Sequence, residues 1–217
     1  MSSVEQLLIL DQDFDNKMTK DILPWIKSTA TDAFVDTSDH IRLHYIYVPA
    51  VGAKNGTIVI SHGFCEFIPK YYEVIYYFAN MGYDVYMHEY RGHGFSTRQI
   101  DDKDKVYVGD FDDYVLDLET MVDKVVIPHV EDRNQLYLFA HSMGGCVGSL
   151  YLEKHPDVFA KAILSSPMMK MNVGSTPRWL VKILFAASMV LSLETCYTPG
   201  QHGFDDRYVF ATSSAMS

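Results

Sequence analysis

Mainly apolar runs of four residues recur along the chain, and stretches with apolar residues at helical spacing separate most of them. Runs without alternation are typical of strands buried on both faces, and four are predicted, at 57–60, 84–87, 136–139 and 161–164. Helical spacing predicts helices over 14–23, 71–78, 111–125 and from 147 to about 154. This alternation of strands and helices predicts the α/β class, with a doubly wound, mostly parallel sheet.

Three details of this prediction concern exposure and helix ends. Residues 41–48 follow the alternating pattern of a half-buried strand, so a β-hairpin with residues 33–35 is predicted. Residues 41, 43, 45 and 47 would lie on one face of the strand, and its other face would be exposed to solvent. Pro24 is expected to end or kink the first helix, because proline lacks the N–H that a helix needs. The acidic residues predicted to line the wet face of the helix over 111–125 are Asp112, Asp113, Asp117 and Glu119.

The stretch 136–145 changes abruptly from a strand pattern to a helical pattern around a serine. Its apolar run ends in Ala140-His141-Ser142-Met143-Gly144-Gly145, and the helical pattern begins immediately afterwards. A serine at a sharp strand-to-helix turn, with small residues two positions before and after it, is typical of a nucleophile elbow. Ala140 stands where glycine is usual. Ser142 is therefore predicted to be a nucleophile, and the helix N-terminus that follows it favours developing negative charge.

Composition and charge exclude several classes of function. A net charge of −10 argues against nucleic acid as a partner, because phosphates would be repelled. Three cysteines without a C-x-x-C pair indicate a reducing compartment, and the N-terminus shows no basic region before an apolar stretch, so a cytoplasmic location is expected. The most apolar window, 179–193, is not expected to be a transmembrane helix. It contains Lys182 and is shorter than the roughly 20 residues that span a bilayer.

A metal site is not expected either. The segment from His88 to His93 resembles a zinc-binding helix, but the two histidines are five residues apart and Gly92 interrupts the helix that the H-E-x-x-H motif requires. Cys65 and Cys146 fit small buried residues better than reactive thiols. The sequence therefore predicts neither a metal nor a cofactor.

Four motifs follow one another in order: His62-Gly63-Phe64, Arg91-Gly-His-Gly-Phe-Ser96, His141-Ser-Met-Gly-Gly145 and Ser165-Ser-Pro167. Together they resemble the monoacylglycerol lipase and lysophospholipase group of the α/β-hydrolases, from about residue 30 to the end of the chain. The resemblance implies an α/β-hydrolase core over 1–167 and part of a helical cap over 168–217. Glu89 departs from the pattern, since the family usually has aspartate before the Arg-Gly-His-Gly run.

The resemblance implies hydrolysis of carboxylic esters, through an acyl-enzyme formed on Ser142. Backbone N–H groups of Phe64 and Met143 are expected to hold the oxyanion. The residues expected to shape the site are His62, which would brace its loop, Gly63, His141, Gly144 and Arg91. The expected partner is a small-molecule or lipid ester, above all a monoacyl lipid. The apolar cap helix would offer a surface for an acyl chain or for the membrane interface, or would simply pack on the core.

The acid and the base that would activate the serine pose a difficulty. In this fold they follow the nucleophile along the chain, in the order serine, acid, histidine. Downstream of Ser142 the only histidines are His155, expected on the surface near the end of a helix, and His202. His202 is therefore the remaining candidate base, although Asp205 and Asp206 follow it instead of preceding it.

The resemblance thus implies that the sequence stops inside the cap, before the parts that supply the acid and the base. Three explanations remain open: a fragment of a longer protein, one half of a two-chain hydrolase whose complementary chain carries the aspartate and histidine, or a shortened product without catalysis. The chain alone is expected to hydrolyse esters poorly. The competing class of function is a non-catalytic binding or interaction module, since a hydrolase fold does not by itself establish hydrolysis.

Overall fold

The computed structural model describes residues 7–170, 177–191, 193, 195–197 and 203, with the backbone alone at 178, 184 and 189. Contacts between Cα atoms divide the chain into two units. The first joins Met1–Gln99 to Val108–Met171, and the second joins Ile100–Tyr107 to Asn172–Ser217. The expected division into a core at 1–167 and a cap at 168–217 stays a prediction.

Six strands of the first unit form one sheet, which includes all four of the predicted runs. Burial on both faces is wrong for the run at 161–164, whose first three residues are exposed, because this strand lies at an edge of the described sheet. The strands are β1 (Thr31–Asp36), β2 (Arg42–Val48), β3 (Gly56–Ser61), β4 (Tyr83–His88), β5 (Leu136–His141) and β6 (Lys161–Ser165). Their spatial order is β1-β2-β4-β3-β5-β6. The last four run parallel, whereas β1 pairs antiparallel with β2, and β2 antiparallel with β4. The predicted mostly parallel α/β sheet is confirmed.

Helices cover both faces of this sheet. The helices of the first unit are α1 (Phe14–Lys17), α2 (Leu23–Thr29), α3 (Tyr72–Asn80), α4 (Asp112–Met121) and α5 (Met143–Lys154). The second unit contains α6 (Arg178–Val190). Val59 of β3 packs in a cluster with residues of α4 and α5, while Ile58 and Ile60 pack on the other face with residues of α2 and α3. Successive side chains of β3 therefore enter two different cores, which explains its run without alternation.

The first helix passes the proline that was expected to interrupt it. A π-helical turn at Met18–Ile22 joins α1 to α2, Pro24 lies in the first turn of α2, and the helix ends at Thr29. A second π-helical turn, Val122–Val126, follows α4 and again precedes a proline, Pro128. Since a proline ring clashes with the carbonyl four residues before it, a widened turn at that point lets the chain stay helical.

The solvated face predicted for β2 is wrong. The hairpin itself is confirmed, with β1 and β2 paired antiparallel from Thr31↔Tyr47 to Asp36↔Arg42. However, Ile46 and Val48, which lie on the supposed wet face, are buried in the same cluster as residues of α2 and α3. Alternation shows which residues share a face of a strand, but it does not show whether another element covers that face.

The opposite edge of the sheet is formed by β6. It pairs with β5, and no other described strand pairs with it. Its residue Ile163 is 63% exposed.

In the second unit, α6 exposes Trp179, Ile183 and Phe185. Within the described part of the chain, no helix has the length and the apolar character needed to cross a membrane.

Candidate active site

Ser142 lies at the turn between β5 and α5, with φ of 50° and ψ of −116°. A residue other than glycine is strained in this region of backbone space. The Ser142 amide donates to the Ser165 carbonyl oxygen at 3.0 Å, and the Ser142 carbonyl oxygen accepts from the amides of Gly145 at 3.0 Å and Met168 at 2.8 Å. The preceding residue, His141, is half-buried and pairs with Ser165. The backbone of the predicted nucleophile is thus held by both β6 and α5.

Small residues around the turn are required by the close approach of β3. A Cβ atom on Gly144 would lie 2.3 Å from the Ser61 carbonyl oxygen, so no other residue fits there without backbone movement. Ala140 is buried, and a Cβ atom on Gly148 would lie 3.4 Å from Ala140 Cβ and 3.0 Å from Leu138 Cδ2. A side chain at position 148 would therefore press on Leu138, while the methyl group that Ala140 adds to the elbow would meet it only at an ordinary contact distance.

The loop after β3 reaches the serine at Gly63. A Cβ atom on Gly63 would lie 3.2 Å from Ser142 Cβ and 2.8 Å from Glu66 Oε2. That carboxylate oxygen accepts hydrogen bonds from the Gly63 amide at 2.7 Å and from the Tyr71 hydroxyl at 2.6 Å. Glu66, which the sequence did not single out, therefore fixes the loop against the nucleophile.

Some backbone amides of the loop after β3 already donate hydrogen bonds to described residues, and others do not. Those of Gly63, Cys65 and Glu66 all donate hydrogen bonds within the first unit. The amide of Phe64 donates to no described residue, and neither does the first amide of α5, that of Met143. The two amides predicted to hold the oxyanion are therefore uncommitted among the described residues. This is the state that an oxyanion hole requires.

His62 is fully buried and links the loops after β3 and β4. Its Nε2 atom accepts a hydrogen bond from the Tyr90 amide at 3.1 Å, and its Nδ1 atom lies 2.7 Å from the Gly63 carbonyl oxygen. Burial, reinforced by the neighbouring His93, holds the pKa of His62 well below its usual value. A neutral ring with both nitrogens engaged suits a bracing role, and it leaves neither nitrogen free to take a proton from Ser142.

Arg91 has no solvent exposure and lies among three carboxylates. Its guanidinium donates to Asp117 through Nη2 at 2.7 Å and to Asp39 through Nη1 at 2.7 Å, and Asp113 Oδ2 lies 3.2 Å from Nη1. Asp117 is also fully buried, so its predicted place on the wet face of α4 is wrong. The helical pattern could not reveal this, because the cation that lets a carboxylate be buried lies 26 residues earlier in the chain.

Glu89, the departure from the family pattern, is a buried carboxylate that links several segments. It accepts hydrogen bonds from the amides of Ile68 at 3.0 Å and Phe95 at 2.7 Å, and His44 Nδ1 lies 2.8 Å from it. Burial raises the pKa of Glu89, but these hydrogen bonds outweigh burial and leave the pKa lowered. A Cβ atom on Gly94 would lie 2.0 Å from the carboxyl group, so the glycine leaves the space that the longer side chain occupies.

The structure brings no base to the nucleophile within its described residues. Ser142 Oγ makes no hydrogen bond to another described residue. His155 lies at the far end of α5, with Nε2 3.6 Å from Glu119 Oε1. In the described part of the chain, no group of three or more His, Cys, Asp or Glu residues is placed to hold a metal ion. The remaining candidates for base and acid, His202, Asp205 and Asp206, lie outside the described residues.

A mostly parallel sheet, a serine at a strained turn after β5 and a glycine-containing loop packed against that serine define an α/β-hydrolase. Comparison with known families agrees. The family model described as Hydrolase_4, serine aminopeptidase S33, matches residues 52–203, and the chain belongs to this family. The matched range contains all four of the motifs identified in the sequence.

Several characterised proteins are similar to parts of the chain. Lysophospholipase L2 from Escherichia coli (strain K12) is 37% identical over 111 residues, 51% of this chain and 32% of that protein. A monoacylglycerol lipase from Mycolicibacterium smegmatis (strain ATCC 700084 / mc(2)155) is 28% identical over 157 residues, 70% of this chain and 50% of that protein. The crystal structure of the α/β-hydrolase GrgF from Penicillium sp. sh18 shares the fold, with a TM-score of 0.60, 18% identity and coverage of 76% of this chain and 55% of that one. The chain thus spans between a third and a half of the length of these curated relatives.

Proposed function

We propose that this chain carries the nucleophile and the oxyanion-binding groups of a serine hydrolase that cleaves carboxylic esters. The observation that carries the proposal is the strained backbone of Ser142, held in place by β6 and α5. Strain of this kind persists only where the surrounding structure enforces it, and it is concentrated at functional sites. The loop against Ser142 adds an amide, that of Phe64, with no partner among the described residues.

In the proposed reaction, Ser142 Oγ attacks the carbonyl carbon of the ester, and the carbonyl oxygen becomes a tetrahedral oxyanion. The amides of Phe64 and Met143 donate to that oxygen, and the N-terminus of α5 adds a favourable dipole. The base takes the Ser142 hydroxyl proton during the attack and gives it to the leaving oxygen, so collapse of the intermediate expels the alcohol and leaves an acyl-enzyme, which water then hydrolyses. One oxyanion donor is typically worth about 10²–10³ in kcat, so these amides are central to the proposal.

The acid and the base are proposed to come from outside the described residues. His62 is unsuited to the role because both of its ring nitrogens are engaged. Two sources are compatible with the site: His202 in the chain itself, or a complementary segment that brings an aspartate and a histidine. Among the described strands, β6 pairs only with the elbow strand β5, so a further strand could pair with its outer edge and carry its own loop to the same edge of the sheet as Ser142.

Monoacyl lipids are the proposed substrate class. The two curated relatives named above are a lysophospholipase and a monoacylglycerol lipase, and their names supply the two ester types to test. In the first unit, Phe64 and Phe95 expose 54% and 75% of their surface on the loops after β3 and β4, where apolar surface suits an acyl chain. In the second unit, the exposed apolar residues of α6 would contact an acyl chain or a membrane surface.

A fluorophosphonate probe tests the proposal, because it forms a covalent adduct with a reactive serine. We expect a single adduct on the folded 217-residue chain, at Ser142, and none on Ser142→Ala, as read by intact-protein mass and peptide mapping. The adduct should form slowly compared with that of a complete serine hydrolase run in parallel, since no described residue activates Oγ. Adducts only at other residues would overturn the proposal.

Turnover of a p-nitrophenyl ester separates the two sources of the base. We expect the isolated chain to show only trace turnover, since oxyanion binding alone leaves some residual catalysis. Rapid turnover that is lost in both Ser142→Ala and His202→Gln would instead assign the base to His202. In that case no complementary segment would be needed.

A lipid-binding or interaction module is the second candidate function. One observation favours it: Ser142 Oγ has no hydrogen-bond partner among the described residues. Such a module would bind a non-hydrolysable ether analogue of a lysophospholipid without forming a fluorophosphonate adduct. Adduct formation at Ser142 would contradict this second candidate.

A further inference from the structure

Two histidines connect the loops after β3 and β4 in a reciprocal manner. His62, on the first loop, accepts a hydrogen bond at Nε2 from the Tyr90 amide on the second loop, at 3.1 Å. His93, on the second loop, accepts a hydrogen bond at Nε2 from the Cys65 amide on the first loop, at 3.2 Å. The two imidazole rings are in edge contact, with 5.1 Å between their centroids. Each loop therefore supplies the acceptor for an amide of the other.

This arrangement fixes the protonation state of both rings. A backbone amide can only donate, so Nε2 of His62 and Nε2 of His93 must each carry a lone pair. Their Nδ1 atoms face carbonyl oxygens, that of Gly63 at 2.7 Å and that of Arg91 at 3.1 Å, so each Nδ1 carries the proton. Both histidines are therefore neutral Nδ1–H tautomers, and protonation of either ring would place two donors against each other.

The surroundings favour the neutral state of both rings. Burial lowers the pKa of His62 and that of His93. The titratable groups that face His62 are His93, His88 and Lys70, which all disfavour its charge. Those that face His93, besides His62, are Arg98, which disfavours its charge, and Glu89 and Glu66, which favour it.

We propose that His93 is a positioning residue for ester hydrolysis, which holds the Cys65 amide so that the neighbouring Phe64 amide stays aimed at the oxyanion. The inference deepens the proposed function, since the role of Phe64 rests on it. Phe64 lies between two anchored amides, that of Gly63 on Glu66 and that of Cys65 on His93. With both neighbouring peptide groups held, the Phe64 amide has little freedom to turn away, and such preorganisation is what makes an oxyanion donor effective.

The backbone of Cys65 shows why an anchor is needed at this position. Its φ is 56°, in the left-handed region that residues other than glycine rarely adopt. Without the acceptor of His93, the loop could relax to a less strained conformation, and the peptide between Phe64 and Cys65 would rotate. The nearby Phe64 ring also contacts His93, with 5.9 Å between the ring centroids.

Two substitutions of His93 test the anchor directly. His93→Gln places an oxygen acceptor close to the position of Nε2 and cannot titrate, whereas His93→Leu removes the acceptor. By NMR, exchange of the Cys65 amide should be about tenfold faster in His93→Leu and near wild type in His93→Gln, the size expected for one lost hydrogen bond. The Tyr90 amide, held by His62, serves as the internal reference in both variants. Equal Cys65 exchange in all three proteins would overturn the inference.

The imidazole tautomers give a second readout that does not depend on catalysis. Long-range ¹H–¹⁵N spectra at neutral pH should show His62 and His93 both protonated at Nδ1 and not at Nε2. A proton on Nε2 of His93 would exclude the bond to Cys65 and contradict the inference.

The rate of fluorophosphonate labelling of Ser142 connects the anchor to function. We expect labelling to slow in His93→Leu and to be restored in His93→Gln, while His155→Leu, at a half-buried histidine just after α5, labels like wild type. A wild-type chain that is not labelled would count against the proposed function, while the exchange measurement would still decide the anchor. Restored Cys65 protection without restored labelling in His93→Gln would show that the anchor does not position the site.

Discussion

The carboxylate of Asp117 and the guanidinium of Arg91 face each other in the interior of the first unit, and neither side chain is exposed to solvent. Arg91 Nη2 donates to Asp117 at 2.7 Å and Nε at 3.0 Å, and the Arg91 backbone amide donates to the same carboxylate at 2.9 Å. Both the side chain and the main chain at the start of the loop after β4 are thereby attached to α4. The segment that carries His93 begins from this fixed point.

Loss of the arginine is expected to be severe. Arg91→Met leaves Asp117 buried without a cation, and breaking a buried ion pair in this way costs about 3–5 kcal/mol of stability. Urea denaturation measures the loss. The double variant Arg91→Met/Asp117→Leu should recover most of it, because neither of the two fully buried charges then remains, and Asp39 and Asp113 are partly exposed to solvent. Lys154→Met, which removes an exposed ion pair with Asp112 at 3.6 Å, is the matched control and should cost less than about 1 kcal/mol. A loss of stability in Arg91→Met no larger than that in Lys154→Met would contradict this account.

Gly144 should tolerate no side chain. In Gly144→Ala the new methyl group would lie 2.3 Å from the backbone oxygen of Ser61, and the strand and helix must separate to admit it. Overpacking of this kind costs about 1–3 kcal/mol or more. Gly109→Ala is the control, because its nearest contact would be 3.8 Å away, at Asp113 Oδ2. Denaturation midpoints that fall by the same amount in both variants would show that the approach of β3 is not tight.

His88 should make the protein sensitive to acid. Neither of its ring nitrogens has a hydrogen-bond partner among the described residues, and burial lowers its pKa to about 3 from 6.5, against an opposing effect of Glu89. Below pH 6.5 the unfolded chain therefore takes up a proton at this residue that the folded chain does not. The stability associated with the neutral ring is present above that pH and is lost as the pH falls towards the folded pKa.

His88→Leu should remove this sensitivity. At pH 7.5 the variant should gain about 1 kcal/mol, because a buried polar group without a partner disappears. At pH 5 its advantage should be about 2 kcal/mol larger, which corresponds to one proton over 1.5 pH units. Urea denaturation at the two pH values measures the difference. An advantage that does not change with pH would mean that His88 is not the group responsible.

In the pair formed by His44 and Glu89, the stability that the histidine contributes should depend on pH in the opposite direction from that of His88. Burial lowers the pKa of His44, but the contacts with Glu89 and Asp32 outweigh it and leave the pKa raised. A raised histidine pKa contributes stability below pH 6.5 that is lost as the pH rises through the folded value, while the lowered pKa of Glu89 contributes stability above pH 4.5. The pair is therefore most stabilising between these two values.

Glu89→Gln should accordingly lower the pKa of His44 in an NMR titration, and its cost in stability should be larger at pH 5.5 than at pH 8.5. Asp32→Asn is the matched control, since Asp32 lies 3.1 Å from the other nitrogen of His44 but is largely exposed. We expect it to shift the His44 pKa less. A larger shift in Asp32→Asn than in Glu89→Gln would reverse the assignment of the main partner.

Much of the fold followed from local patterns in the sequence. The four predicted runs coincide with strands to within two residues at each end, because apolar residues without interruption, such as Ile58, Val59 and Ile60, favour a strand. The elbow was also visible, since Ser142 with Gly144 and Gly145 stands directly between a strand pattern and a helix pattern.

Two features that the sequence did not reveal depend on partners that are distant in the chain, whereas Glu66, which it also did not single out, contacts residues only three and five positions away. Asp117 has a polar side chain on a helix, and only the approach of Arg91 makes its burial possible. The anchoring role of His93 depends on Cys65, 28 residues earlier in the chain. No periodicity within a single element carries information about such pairs. The motif Arg-Gly-His-Gly was the one signal that could have drawn attention to His93.

The strain at Ser142 can be measured by comparing two substitutions. Ser142→Ala keeps a Cβ atom at φ of 50°, whereas Ser142→Gly removes it and relieves the conflict with the backbone. We expect Ser142→Gly to be more stable than Ser142→Ala by about 1 kcal/mol or more in urea denaturation. Equal stability of the two variants would show that the turn stores no strain.

It follows that two selective pressures act on position 142 in opposite directions. A mutant library sorted only for resistance to unfolding should become enriched in glycine at this codon. A library sorted for the proposed ester cleavage should return serine there. Sequencing both pools gives the ratio of glycine to serine at this codon. That ratio would show how much folding free energy the chain gives up in order to present one hydroxyl group.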